Sequence, residues 1–117
     1  MLSLPGVIGA ADNKRKASIA FIGLGLRGRN HLNNLLSRED VTIPAICDID
    51  ANALEVSQGM IRKAGLKAAI EYSGHDFAYL DMLSRSDIDG VIISTPWRWH
   101  ARMSVDAMKS GKYAGVE

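Results

Sequence analysis

Ser18-Ile-Ala-Phe-Ile-Gly23-Leu-Gly25-Leu-Arg-Gly28-Arg-Asn-His-Leu32 decides the fold of this chain. A β-rich apolar run breaks into Gly-x-Gly-x-x-Gly and continues with Leu32, Leu35 and Leu36 at helical spacing. Strand, glycine turn and helix in that order read as a dinucleotide cradle. Gly23 permits the tight turn off the strand, Gly25 lets the backbone come close to a pyrophosphate, and Gly28 lets the helix pack closely on the sheet. The helix N-terminus then meets the phosphates with unpaired N–H groups and the positive end of its dipole. Glycine spacing by itself is weak evidence, the plain alternative being an ordinary turn, so the surrounding sequence must carry the reading.

Val41-Thr-Ile-Pro-Ala-Ile-Cys47 is a second apolar, β-branched run, and it ends in Asp48, 25 residues after Gly23. A carboxylate at the tip of the second strand accepts hydrogen bonds from both ribose hydroxyls of an adenosine and repels a 2′-phosphate. The residues just after it, Ile49-Asp50-Ala51-Asn52, offer no Arg or Lys to receive that phosphate. The expected cofactor is therefore NAD rather than NADP. The alternative for Asp48 is a plain strand-end or helix-capping carboxylate.

Beyond Asp48 the spacing predicts a helix over 51–64 closed by Gly65, a short strand over 67–72, and a turn whose Asp76 caps a helix over 77–84. A strand follows over 90–94, its unbroken β-branched run marking a central parallel strand covered on both faces. A helix over 100–110 closed by Gly111 and a strand over 113–117 complete the order. Strands alternating with helices imply βαβ units with right-handed crossovers. The expected fold is thus α/β, a Rossmann-type doubly wound parallel sheet over residues 17–117 with strand order 3-2-1-4-5. At 117 residues this is one domain, short of a dinucleotide fold plus a substrate domain. A second, substrate-binding domain is expected after Glu117.

A second signal is Ser94-Thr95-Pro96-Trp97-Arg98-Trp99-His100, where the fourth strand leaves the sheet. Ligands of doubly wound sheets bind beyond the carboxyl ends of the strands, so this loop and the glycine loop should flank one crevice. Pro96 fixes the exit of the backbone. Trp97 and Trp99 can wall a flat cofactor ring, and His100 can donate to a ribose or amide oxygen. The alternative is that both tryptophans pack against another domain and His100 merely starts a helix. Arg27, inside the phosphate loop, is expected to brace the pyrophosphate or flank the ring. His31 and His75 read as surface residues, and Lys14-Arg15-Lys16 as a solvated lead-in to the first strand.

Fourteen Lys and Arg balance thirteen Asp and Glu, which leaves no positive field to hold nucleic acid or an anionic membrane. Small-molecule partners are expected. Cys47 is the single cysteine and reads as a small buried thiol, and with three dispersed histidines no metal-ligand spacing appears. No metal is expected. Residues 1–16 form a leader, either a signal-peptide remnant or a disordered segment. The first would place the protein in the periplasm or outside the cell, the second in the cytoplasm. Nothing reaches the length of a transmembrane helix. The open edge of the last strand makes a homo-oligomer an expectation to test.

The glycine loop, Asp48, Thr95-Pro96 followed by His100, and the Gly111-Lys-Tyr-Ala-Gly-Val-Glu117 ending together resemble the N-terminal domain of the Gfo/Idh/MocA oxidoreductase family. Within it, Gly25-Leu-Arg-Gly28, Ile46-Cys-Asp-Ile-Asp50 and Thr95-Pro-Trp-Arg-Trp-His100 look most like glycoside hydrolase family 109, NAD-dependent α-N-acetylgalactosaminidases. The resemblance implies that Gly23, Gly25, Leu26, Arg27 and Gly28 contact NAD from the loop and that Asp48 holds the adenosine ribose. It further implies that Thr95, Pro96, Trp97, Arg98, Trp99 and His100 lie along the cofactor and that Glu117 closes the site. The family's catalytic histidine and tyrosine would lie in the second domain, so the chain alone is expected to be inactive. The resemblance implies a reaction that oxidises the sugar 3-hydroxyl, eliminates the glycosidic substituent, adds water and returns the hydride, one of the exceptions to paired-carboxylate hydrolysis. Sugar or cyclitol dehydrogenases of the same family tend to carry Asn where this chain has Trp97 and a Glu-Lys-Pro motif at the ending. A dehydrogenase and a non-catalytic nucleotide-binding module are the competing readings.

Overall fold

A computed structural model describes residues 16–116, so all of the expected leader except Lys16, and Glu117 with its expected role, lie outside the described residues. The elements are β1 (Ala17–Ile22), α1 (Leu26–Leu36), β2 (Val41–Thr42), β3 (Ala45–Cys47), α2 (Ala51–Lys63), β4 (Ile70–Tyr72), α3 (Ala78–Leu83), β5 (Gly90–Ile93), α4 (His100–Lys109) and β6 (Tyr113–Val116). A 3₁₀ turn, Trp97–Trp99, leads into α4. All pairings are parallel, and the sheet order is β4-β3-β1-β5-β6 with β2 on the flank of β1. This is the doubly wound order expected from sequence, with the second strand split in two. The split has a covalent cause. Pro44 has no N–H to give a ladder, and the register shifts from Ala17 opposite Val41 to Phe21 opposite Ile46, so the second strand carries one extra residue as a bulge.

Alternation along the strands divides the core. Phe21 and Ile46 point to the face where α1 and α2 contribute Leu32, Leu54 and Ile61. Ala20, Ile22, Cys47, Val91 and Ile93 point to the other face, where α3 and α4 contribute Tyr79, Met82, Met103 and Ala107. The Tyr79 hydroxyl donates to Asp106 Oδ2 at 2.7 Å and ties α3 to α4. β5 departs from expectation. Its inner positions are buried, but Ile92 is only half covered, because the face that it shares with Ile19 and Tyr113 opens into a cavity of about 500 Å³ that α1 borders through Leu35 without filling.

Helix ends follow local chemistry. Asp50 caps α2, its carboxylate accepting from the Asn52 N–H at 2.9 Å, and Gly65 ends the helix at φ +79°. Gly111 ends α4 in the same way at φ +80°, with the Lys112 N–H returning to the Ala107 carbonyl. Asp76 does not cap α3. The helix starts one residue later than expected, and the Phe77 N–H is taken by His75 Nδ1 at 3.2 Å, so the neighbouring imidazole supplies the acceptor.

Candidate nucleotide-binding site

The carboxyl ends of β3, β1 and β5 lie side by side and are stitched by backbone bonds. The Gly23 N–H reaches the Cys47 carbonyl at 2.9 Å, and the Ser94 N–H reaches the Ile22 carbonyl at 2.8 Å. Gly23 turns the chain at φ +95°, and a Cβ there would stand 2.7 Å from the Ser94 carbonyl carbon, so only glycine lets the two strand ends meet. Gly28 sits in the first turn of α1, where a Cβ would stand 2.1 Å from the Gly23 carbonyl oxygen. Gly25 is the opposite case. Its backbone is extended (φ −69°, ψ −163°) and a Cβ would meet nothing within 4 Å, so the space before it is open.

Helix α1 starts without a side-chain cap and without an acidic residue in its first turn. Its first N–H groups therefore need an outside acceptor, and the dipole favours an anion there. Arg27 is exposed in this turn. The Arg29 guanidinium folds back to donate to the Leu24 carbonyl at 2.9 Å, bracing the loop from below. These features fit a pyrophosphate: an uncapped helix start, open space at Gly25, and a turn that Gly23 and Gly28 let close tightly on the strand ends.

Asp48 follows β3 and is half-buried. Its Oδ2 accepts the Leu24 N–H at 2.7 Å, and its Oδ1 accepts the Asp50 N–H at 2.8 Å. Each oxygen keeps lone-pair capacity, so the carboxylate can still accept from two ribose hydroxyls. Cys47, one residue earlier, is buried among the apolar side chains of the α3–α4 face. Burial, with a smaller contribution from the Asp48 charge, pushes its thiol up to about 12, which makes it inert near neutral pH.

Three large apolar side chains stand exposed just past neighbouring strand ends: Leu26 (75%), Ile49 (67%) and Trp97 (84%). Apolar surface grouped in this way suits flat rings better than water. The two tryptophans separate in role. Trp97 presents its ring to solvent, whereas Trp99 is half-buried against the α3–α4 core and meets Phe77 edge-on, centroids 5.6 Å apart at 75°. Arg102 lies over the other partner of that pair, 4.7 Å from the Phe77 centroid. His100 is also engaged. Its Nε2 lies 2.7 Å from the Thr95 carbonyl, which can only accept, so Nε2 carries a proton and donates it. The Nε2 donor of His100 is thus engaged within its own loop in this structure. The Thr95 hydroxyl points to the Met103 sulfur at 3.3 Å, and Pro96 and Arg98 are exposed on the rim.

Three contributors escaped the sequence reading. Leu24 acts through its N–H, Arg29 through its reach to the loop, and Ser94 through a buried hydroxyl at the cradle floor that has no hydrogen-bond partner. Only Arg29 had a visible signal, a cation one turn into a helix that follows a glycine loop. Among the described residues no group of three His, Cys, Asp or Glu is placed to hold a metal ion, and no helix is long and apolar enough to cross a membrane.

Comparison with known proteins bears on the fold and the family. Residues 17–117 match the oxidoreductase family described as an NAD-binding Rossmann fold, Gfo/Idh/MocA. A glycosyl hydrolase family 109 protein of Shewanella pealeana is 44% identical over 114 residues, covering 97% of this chain and 25% of that protein. Myo-inositol 2-dehydrogenase from Lactobacillus plantarum superposes with a TM-score of 0.72 at 28% identity, over 87% of this chain and 28% of that one. Scyllo-inositol dehydrogenase from Lactobacillus casei, solved with NAD(H) and scyllo-inositol bound, gives a TM-score of 0.70 at 22% identity over 87% of this chain and 28% of its own, a likeness of fold. The chain spans about a quarter of the length of these relatives.

Proposed function

The chain belongs to the Gfo/Idh/MocA oxidoreductase family as its NAD-binding Rossmann domain, and from that footing we propose that it serves a longer enzyme, an NAD-dependent glycosidase of the family 109 kind acting on α-N-acetylgalactosaminides. The observation that carries the reading is the 44% identity to a protein of that name, against 22–28% to the inositol dehydrogenases. NAD, when bound, supplies reversible hydride exchange with a carbon of the sugar. The residues of this chain bind and aim. Gly23, Gly25 and Gly28 with the first turn of α1 receive the pyrophosphate, Asp48 receives the adenosine ribose, and Trp97 walls a ring at the mouth of the crevice. Leu26, Arg27, Thr95, Pro96, Arg98, Trp99, His100 and Glu117 complete the proposed cofactor surface, Trp99 and Thr95 acting from behind it. Proton transfer to the sugar falls to a further domain, so residues 17–117 alone turn nothing over.

A second reading, a sugar or cyclitol dehydrogenase, draws on the inositol dehydrogenase likeness at 28% identity. One cuvette separates them. In the parent enzyme, aryl α-N-acetylgalactosaminide cleavage and absorbance of reduced nicotinamide are followed together. Aglycone release that needs NAD without net NADH build-up supports the glycosidase. Steady NADH accumulation on a free sugar with no aglycone release overturns it in favour of the dehydrogenase.

A further inference from the structure

The Asp48 carboxylate is tied at both oxygens before any ligand arrives. Oδ1 takes the Asp50 N–H within its own turn, a local bond of the kind that Asp makes two residues on. Oδ2 does something different. It crosses from the end of β3 to the end of β1 and takes the Leu24 N–H at 2.7 Å, inside the glycine turn between Gly23 and Gly25. A charge-assisted bond of this length is among the stronger hydrogen bonds, and it acts on the one segment whose backbone must be held to receive a pyrophosphate. The Leu24 side chain is fully buried and its carbonyl is held by Arg29, so the Leu24 peptide is gripped from both sides.

The geometry points to a second role for Asp48, as the positioning residue of the glycine turn: it sets the pyrophosphate cradle through the Leu24 N–H, so that the ribose end and the phosphate end of the site are held by one side chain. This rests on the NAD-binding reading and adds a coupling to it. A carboxylate anchored by two N–H groups cannot swing aside, which also makes its opposition to a 2′-phosphate rigid.

The role is separated from ribose recognition with an NAD analogue whose adenosine ribose lacks both hydroxyls, bound to the parent enzyme and to its Asp48→Ala and Asp48→Asn variants. If Asp48 only held hydroxyls, the substitutions would leave affinity for the analogue unchanged. Loss of the negative charge could only raise it. The clamp predicts instead that Asp48→Ala still loses about tenfold on the analogue, and that the Leu24 amide in the cofactor-free protein exchanges about tenfold faster or more. Asp48→Asn keeps the shape and one acceptor oxygen for two N–H groups, and should lie between the two in both measurements. It serves if the alanine variant fails to fold. Unchanged analogue affinity together with unchanged Leu24 exchange in either folded variant overturns the proposal. Failure of the wild-type enzyme to bind NAD would strike at the cofactor reading instead, and the Leu24 exchange would still decide the clamp.

Discussion

Two alanine substitutions three residues apart should have opposite signatures. Gly25 has an extended backbone that alanine adopts freely, and its added methyl meets nothing within 4 Å. Without cofactor, Gly25→Ala should leave stability unchanged or raise it by about 0.4–1 kcal/mol through a stiffer unfolded chain. With cofactor, the methyl stands where the backbone must approach the pyrophosphate. The penalty of about 1–3 kcal/mol for forcing an extra carbon into a packed contact corresponds to roughly a 5- to 150-fold loss of NAD affinity. Gly28→Ala places its methyl 2.1 Å from the Gly23 carbonyl oxygen and 2.9 Å from its carbon. Both atoms are backbone in the turn, so α1 must move by about 1 Å, and the upper end of the same penalty outweighs the helix-propensity gain of about 1 kcal/mol. Gly28→Ala should therefore lower Tm and NAD affinity together. Scanning calorimetry of the cofactor-free parent enzyme and titration calorimetry with NAD read the two quantities separately. Wild-type NAD affinity in Gly25→Ala, or a Gly28→Ala variant that melts no lower than wild type, would refute the reasoning.

Titration with both dinucleotides should find NAD well preferred over NADP, and Asp48→Ala should cost roughly 1–3 kcal/mol of NAD binding from lost charged hydrogen bonds; equal affinity for NADP would remove Asp48 from the ribose. Burial holds the Cys47 thiol protonated, and burial followed by the bond to Asp106 does the same for the Tyr79 hydroxyl, both pushed up to about 12 from 9.0 and 10.0. The folded state then keeps protons that the unfolded chain releases, so stability is full below pH 9 and falls as pH rises from about 9 toward 12. Denaturant midpoints across that window should decline less steeply in Cys47→Ala and Tyr79→Phe, and a flat wild-type profile would count against these assignments. Mass spectrometry of a thiol-reagent time course at neutral pH should find the Cys47 peptide unlabelled until the protein unfolds.

What the sequence made legible was whatever depends on local spacing. The glycine loop, the acidic residue 25 positions on, the closing Gly65 and Gly111, and the strand order all follow from chain-local patterns and the handedness of crossovers. Pro44 inside the second run was a visible warning that the strand would break, since it cannot give a ladder hydrogen bond, yet the run was apolar enough to read as continuous. Contacts between distant segments were not legible. Nothing near Asp48 reveals that its carboxylate reaches Leu24, and nothing near Trp99 reveals that Phe77 waits across the α3–α4 face. His100 is a finer case. Its partner is only five residues away, but the 3₁₀ turn that brings the Thr95 carbonyl to Nε2 is set by how the loop leaves β5. The Asp76 cap failed for a related reason, because His75 offered a competing acceptor from one residue farther back.

The central claim is that NAD lies across the carboxyl ends of β3, β1 and β5, and not in the apolar cavity lined by Ile19, Ile92 and Tyr113 on the sheet face. Residue-resolved hydrogen exchange of the parent enzyme with and without NAD tests it most directly. The account predicts cofactor protection concentrated at residues 23–28, 48–50 and 94–100. Protection that instead gathers around Ala17, Gly90 and Tyr113, with the glycine loop unchanged, would contradict it.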